Sequence, residues 1–318
     1  MQCLFSLQEL PCSKAKKAIY KRKVFVMHIS GRAKLPVGFK RPDGLEYTHY
    51  RYDAGFEVTT HSHDDAYEIY FFLDGAVDYI VESKRYTLAP GDILLISNRV
   101  LHRPYPDVDR PYERIVISLG LEFLRNHYLR GEEAGRCFEQ AAACRHYAIQ
   151  LGAGERATAV YQCLARLEDE VGEQQVLGEQ MVDAILLQLL VTLNRCYEQS
   201  VSETDGIVVA SNKMTDSIVR YINENLEEDL SLERLSEKFF VSKYHLAREF
   251  KKYTGYTVHS FILKKRLLTA RVLLREQNSI LDVSLQCGFR DYSTFVRAFK
   301  AEFGLTPYQY MHPFGAGT

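Results

Sequence analysis

"LSLERLSEKFFVSKYHLAREFKKYTG" (230–255) and "NSILDVSLQCGFRDYSTFVRAFKAEFG" (278–304) are two versions of one arrangement, separated by a single long apolar-periodic stretch. Each reads as a short helix, a tight turn and a second helix that buries one side. In the first copy Leu232, Leu235 and Phe239 are expected to face Leu246 and Phe250. In the second, Ile280, Val283 and Leu285 are expected to face Phe295 and Phe299. The small residues Ser236 and Ser284 stand where two crossing helices approach closest, and Gly288 follows where the turn must be tight. Ser242 and Asp291 have the chemistry of N-caps for the second helices.

This is a helix-turn-helix plan, in which the second helix enters the major groove of double-stranded DNA. The outward residues available to bases and phosphates are Lys243, Tyr244, Arg248, Lys251 and Lys252 in the first copy, and Tyr292, Ser293, Arg297 and Lys300 in the second. One such charged face is ordinarily just solvated surface. Two, joined by a helix over about 257–275 ("TVHSFILKKRLLTARVLL"), point to DNA. Charge agrees modestly: of the overall −1, residues from 212 onward carry 16 Lys+Arg against 12 Asp+Glu, a local +4 behind an acidic remainder.

The segment 214–311 resembles the AraC/XylS-type bacterial transcription regulators. The resemblance rests on "HLAREFKKYTG", "KKRLLTARVLL" and "GFRDYSTFVRAFKAEFGLTPYQYM", including the Phe-Lys before each terminal glycine, the Arg266…Ala270…Leu274 run and Thr306-Pro307. It implies two reading heads on one linker helix. Tyr244, Ala247 and Arg248 would then hold base-reading positions in the first copy, and Tyr292, Ser293, Val296 and Arg297 in the second. Ser236 and Ser284 stand where the family often has alanine, and Phe240 where it has a small or polar residue, departures expected to concern packing.

Upstream, Tyr47–Leu119 alternates in short runs rich in Ile, Val, Tyr and Phe, broken at Asp74-Gly75, Pro90-Gly91-Asp92 and Arg103-Pro104. Many short strands at close spacing mean a sandwich or barrel. Gly55-x5-His61-x-His63-x4-Glu68-x6-Gly75 matches the first cupin motif, and "LAPGDILLISNRVLH" ends in His102 where that pattern has its third histidine. Ser97 and Arg99 depart from the metal-cupin pattern. Three imidazoles and a carboxylate suit a divalent metal, so His61, His63, Glu68 and His102 are candidate metal ligands. Regulators of this type commonly carry a cupin-like sensor. The preferred use of these four residues, with Tyr70, is therefore contact with a small polar effector such as a sugar, with no cofactor required. The alternative is a metal-dependent cupin enzyme with an accessory DNA-binding domain.

The expected fold class is α+β multidomain: a cupin-like β-barrel with flanking helices, then an all-α double helix-turn-helix domain. The expected divisions are a basic, poorly ordered tail (1–26), the barrel (27–150), a helical dimerisation segment (151–200), a linker (201–212) and the DNA-binding domain (213–312). In "EQMVDAILLQLLVTLNRCYEQ" apolar positions 182, 185, 186, 189, 190 and 193 form one stripe, which Leu187 and Val191 widen. That helix either packs on the barrel or forms a homodimer seam. The seven scattered cysteines contain no C-x-x-C pair, which fits a reducing cytoplasm. No signal peptide is visible, and "AILLQLLVTL" is too short to cross a bilayer. The expectation is a cytoplasmic regulator, not an enzyme, with DNA, an effector, a second copy of itself and, if an activator, RNA polymerase as partners.

Overall fold

The structure, a computed structural model, describes residues 36–53, 66–128, 131–151, 154–172, 177–200, 208–276 and 279–312. The basic tail, His61 and His63 lie outside the described residues. Strands β1 (Val37–Lys40), β2 (Leu45–Tyr52), β3 (Ala66–Asp74), β4 (Val77–Val81), β5 (Lys84–Leu88), β6 (Asp92–Ile96), β7 (His102–Pro106), β8 (Tyr112–Gly120), β9 (Ala148–Gln150) and β10 (Val208–Ser211) form two antiparallel sheets. One runs β1-β2-β8-β3-β6-β9, the other β10-β5-β4-β7. The barrel thus follows from period-two patterning. Thr48, Tyr50, Tyr52, Glu68, Tyr70, Arg114, Val116 and Ser118 line its interior, while the intervening Tyr47, His49, Ile69, Ile115 and Ile117 are buried on the other face.

Around the barrel lie α1 (Leu121–His127), α2 (Gly131–Ala134), α3 (Arg136–Cys144), α4 (Glu155–Gly172) and α5 (Gly178–Ser200). On α5, Val182, Ile185, Leu186, Leu189, Leu190 and Leu193 are buried within the subunit, whereas Met181, Leu187 and Val191 stay exposed. Two expectations are corrected here. Arg103-Pro104 is not a break: Pro104 lies within β7 and pairs with Tyr79. β7 is an edge strand, where a missing N–H is tolerated. Nor is 201–212 wholly a tether, because β10 pairs with β5 from Val208↔Thr87 to Ser211↔Lys84 and extends the barrel sheet. Residues 201–207 lie outside the described residues.

Beyond Asn212, whose side chain caps the next helix through Thr215 N, the chain is helical: α6 (Lys213–Glu224), α7 (Leu232–Lys238), α8 (Lys243–Thr254), α9 (Val258–Glu276), α10 (Ile280–Gln286), α11 (Tyr292–Phe303) and α12 (Pro307–Met311). The long α9 serves two cores. Phe261 and Ile262 join Leu235, Leu246 and Phe250 with α6, while Leu267, Ala270 and Leu274 join Val283, Cys287, Phe295 and Phe299. Leu285 does not face Phe295 as expected: it is 55% exposed, and Cys287 occupies the core instead. From Val283 the inward position recurs four residues on, at Cys287, so Leu285 projects sideways.

The two turns reach the same backbone by different means. Gly288 has φ +76, and a Cβ there would stand 2.3 Å from Leu226 O and against the Arg266 guanidinium. In the matching place Phe240 has φ +53 and is 95% exposed, so this departure concerns backbone conformation rather than packing. Replacing Gly288 by Ala is expected to destabilise the second unit by roughly 2–3 kcal/mol. Phe240→Gly should stabilise the first by about 0.5–1 kcal/mol, because relief of left-handed strain exceeds the added chain entropy. Denaturant midpoints of the two variants, moving in opposite directions, are the check.

Candidate DNA-binding face and effector cavity

Helices α8 and α11 begin alike. Ser242 Oγ accepts from His245 N and Asp291 Oδ2 from Thr294 N, satisfying amides that the first turn leaves open. Both end at a glycine in the left-handed region, Gly255 at φ +78 and Gly304 at φ +77. With Leu246 and Phe250, or Phe295 and Phe299, directed inward, the opposite side of each helix faces solvent. Lys243, Tyr244, Arg248, Lys251, Tyr292, Ser293, Arg297 and Lys300 are all exposed. Lys243 Nζ is held by Glu233 Oε1 at 2.5 Å, and Arg297 folds back onto Ser293 O at 3.3 Å.

A cleft of about 830 Å³ lies between the two units and takes in Tyr244, Arg248 and Lys251 from the first and Arg290 and Thr294 from the second. Arg290 and Thr294 were not singled out in the sequence. Their position, flanking the Asp291 cap, is the signal that could have found them. Arg266 sets the frame of this cleft by donating from Nε to Leu226 O (2.9 Å) and from Nη2 to Glu228 O (2.8 Å).

The barrel cavity, about 650 Å³, brings together three of the effector-contact candidates, Glu68, Tyr70 and His102. His102 Nδ1 donates to Val100 O (3.0 Å), leaving Nε2 facing Glu68 Oε2 at 3.5 Å. Tyr79 donates to Glu68 Oε1 at 3.4 Å, and the Tyr70 and Tyr112 hydroxyls meet at 2.7 Å. Burial pushes the Tyr70 and Tyr79 hydroxyls well above the ordinary tyrosine range, so both are neutral hydrogen-bonding groups. Arg114, on the same inward face of β8, also lines the cavity. Alternation along "YERIVISLG" could have placed it there.

Strand β7 has two working faces. His102 and Pro104 line the cavity. Just before the strand, Leu101 is buried in the first helix-turn-helix core, and a Cβ on Gly255 would lie 2.8 Å from Tyr105 Oη. Beside it, Glu82 and Lys265 form a 2.8 Å ion pair at 2% and 6% exposure. Lys265 Nζ also donates to Arg99 O (2.6 Å), and Asn223 Nδ2 to Glu82 Oε2 (3.1 Å). Arg145 links Ser83 Oγ (2.6 Å) with Asp216 Oδ1 (2.9 Å). Cavity wall and DNA-binding unit therefore share one short segment, 99–105.

Residues 44–191 match the family described as AraC-like ligand binding domain, and residues 235–312 match a helix-turn-helix domain. The HTH-type transcriptional activator RhaS of Escherichia coli O81 (strain ED1a) is 24% identical over 255 residues, covering 77% of this chain and 84% of that protein. The activator RhaR of Escherichia coli K12 is 25% identical over 253 residues, covering 79% and 86%. Among solved structures, ToxT from Vibrio cholerae O395 aligns over 86% of this chain and 99% of its own at 13% identity and a TM-score of 0.37. The DNA-binding domain of AdpA in complex with a target DNA aligns over 33% of this chain and 96% of its own at 25% identity and a TM-score of 0.32. No described helix is long and apolar enough to cross a membrane.

Proposed function

The chain belongs to the AraC-type family of transcription regulators, and we propose that it is a sequence-specific DNA-binding activator governed by a small polar effector in the barrel. The observation that carries this reading is the two-faced segment 99–105, which walls the cavity and seats the first helix-turn-helix unit. An effector that favours one seating of β7 would bias how the reading heads are held, which is all that regulation requires. RhaS and RhaR are named activators, and activation would make RNA polymerase a partner. The exposed Met181, Leu187 and Val191 side of α5 would carry a second copy of the chain, so that target sites come as repeated half-sites. The test is a gel shift of the gene's own upstream DNA with the full-length protein. Retardation that survives random competitor and changes with a small metabolite is expected; retardation no stronger than random competitor at moderate salt would sink the reading.

The two kinds of contact should separate by mutation. Arg297 has the fork that pairs with both acceptors of guanine, worth about 1–3 kcal/mol of discrimination. Arg297→Ala is expected to relax preference at one base pair. Lys251→Ala should weaken all sites alike and flatten the salt slope by about 0.9. Binding-site selection and a salt titration read these two outcomes.

A further inference from the structure

Three cations line the barrel cavity: Lys40, Arg41 and Arg114. The first two are paired, Lys40 with Glu46 at 3.2 Å and Arg41 with Asp43 at 2.6 Å and Asp183 at 2.7 Å. Arg114 has no ion-pair partner among the described residues, and its Nη1 is buried without a hydrogen-bond acceptor. Its neighbour in sequence, Glu113, points to the opposite face of the sheet and is taken by His49 and Arg51. The Arg114 guanidinium lies over the rings of Tyr52 and Tyr112, at 5.2 and 5.1 Å, and hydrogen-bonds the Tyr52 side chain, contacts that orient it without neutralising it. A guanidinium taken out of water with no carboxylate paired to it among the described residues is costly, and a bound anion would complete such a site.

We infer that the effector is a small carboxylate, its anionic end paired with Arg114 and its hydrogen-bonding end held by Glu68 and His102. This rests on the effector-governed reading above and narrows it from any polar metabolite to an organic acid. Arg rather than Lys suits the task, because the planar fork matches a carboxylate with two parallel hydrogen bonds. Tyr70 and Tyr79, with their neutral hydroxyls, line the cavity wall, so the body of the ligand carries hydroxyl or amino groups. A sugar acid and an amino acid share this chemistry.

The test melts the full-length protein with D-galacturonate and D-gluconate, their neutral counterparts D-galactose and D-glucose, and the twenty amino acids. A rise of roughly 4–8 °C with an acid and none with its neutral counterpart is expected. Arg114→Gln should weaken that binding about 100-fold or more. The sugar-acid and amino-acid arms separate the two sources. Without any ligand, Arg114→Met should melt at or above the wild-type temperature, since an uncompensated charge is removed. A fall in melting temperature would make Arg114 part of the fold and overturn the inference. A neutral sugar that stabilises wild type and Arg114→Gln equally would overturn it too, while leaving an effector-governed regulator intact. Silence across the panel also overturns it. The parallel gel shift tells whether DNA binding fails with it.

Discussion

Lys265→Met is expected to loosen the seat of the DNA-binding unit on the barrel by about 3–5 kcal/mol, the cost of leaving one member of a buried pair without the other. Glu82 is the residue stranded. It would keep Asn223, the Tyr147 hydroxyl at 3.4 Å and the more distant Arg145 Nε at 3.7 Å, but lose its 2.8 Å cation, and Arg99 O would lose its donor. Hydrogen exchange is the measurement. Amides of β10 and β5 and of residues 99–106 should lose protection together, while the core of α11 with Phe295 and Phe299 keeps its own. Replacing both partners, Lys265→Met with Glu82→Leu, should recover part of the loss, because a buried apolar pair is often as stable as the ion pair it replaces. Unchanged exchange across 99–106 in the single variant would show that β10 and Leu101 suffice to seat the unit. The double variant has a second use. It keeps the domains docked by apolar contact alone, and so tests whether the charge pair or mere contact passes the state of β7 to the linker helix.

The legible part of this molecule is the part encoded locally. Caps at Ser242 and Asp291, the inward Leu246, Phe250, Phe295 and Phe299, and the glycine turn at Gly288 all depend on neighbours within a few residues, and the structure has them as expected. The short helix α10 was harder. Over two turns the i+2 and i+4 positions are easily exchanged, which is why Leu285 was given the place that Cys287 holds. Pro104 looked like a breaker because a proline's tolerance depends on whether its strand is an edge, and strand order is not written locally. The same holds for Val208–Ser211, which follows the small, polar stretch "VSETDG" and reads with it as a tether, yet is completed as a strand by the edge of β5. Glu82 and Lys265 lie 183 residues apart, and although Lys265 sits within "KKRLLTARVLL", nothing near it in the sequence names its partner. Arg114 was within reach through alternation on β8, but its missing partner is a property of the assembled cavity.

Stability of the sensor domain is expected to fall by roughly 3 kcal/mol as pH rises from 6.5 to about 9, through His49. The ring is fully buried between β2 and α4, with Nδ1 at 2.9 Å from Glu168 Oε1 and Nε2 at 3.0 Å from Glu113 Oε1. Burial alone would push the imidazolium down. The hydrogen bonds to Glu113 and Glu168 overcome it and hold the group up at about 9, against an ordinary 6.5. A folded-state value above the unfolded one means that the folded chain binds the extra proton. The stabilisation is therefore complete below 6.5 and lost as pH passes through the folded value. Two further groups touch the cluster: Arg51 pairs with Glu113 Oε2 at 2.7 Å, and Tyr47 donates to Glu168. Burial beside Glu168 lifts the Tyr47 hydroxyl well above this window, so the slope belongs to His49. Urea midpoints at pH 6 and pH 9.5 measure it. His49→Gln keeps a hydrogen-bonding side chain and should flatten the slope. His49→Leu leaves two buried carboxylates, Glu113 beside Arg51 and Glu168 with the Tyr47 hydroxyl, without the imidazolium that joins them, and should cost about 3–5 kcal/mol at pH 6. Equal slopes in wild type and His49→Gln would assign the pH dependence to another group. The loss matters beyond folding. Glu168 lies on α4, which packs against α5, so the proton on His49 ties the sheet that walls the effector cavity to the helices proposed to join two copies of the chain.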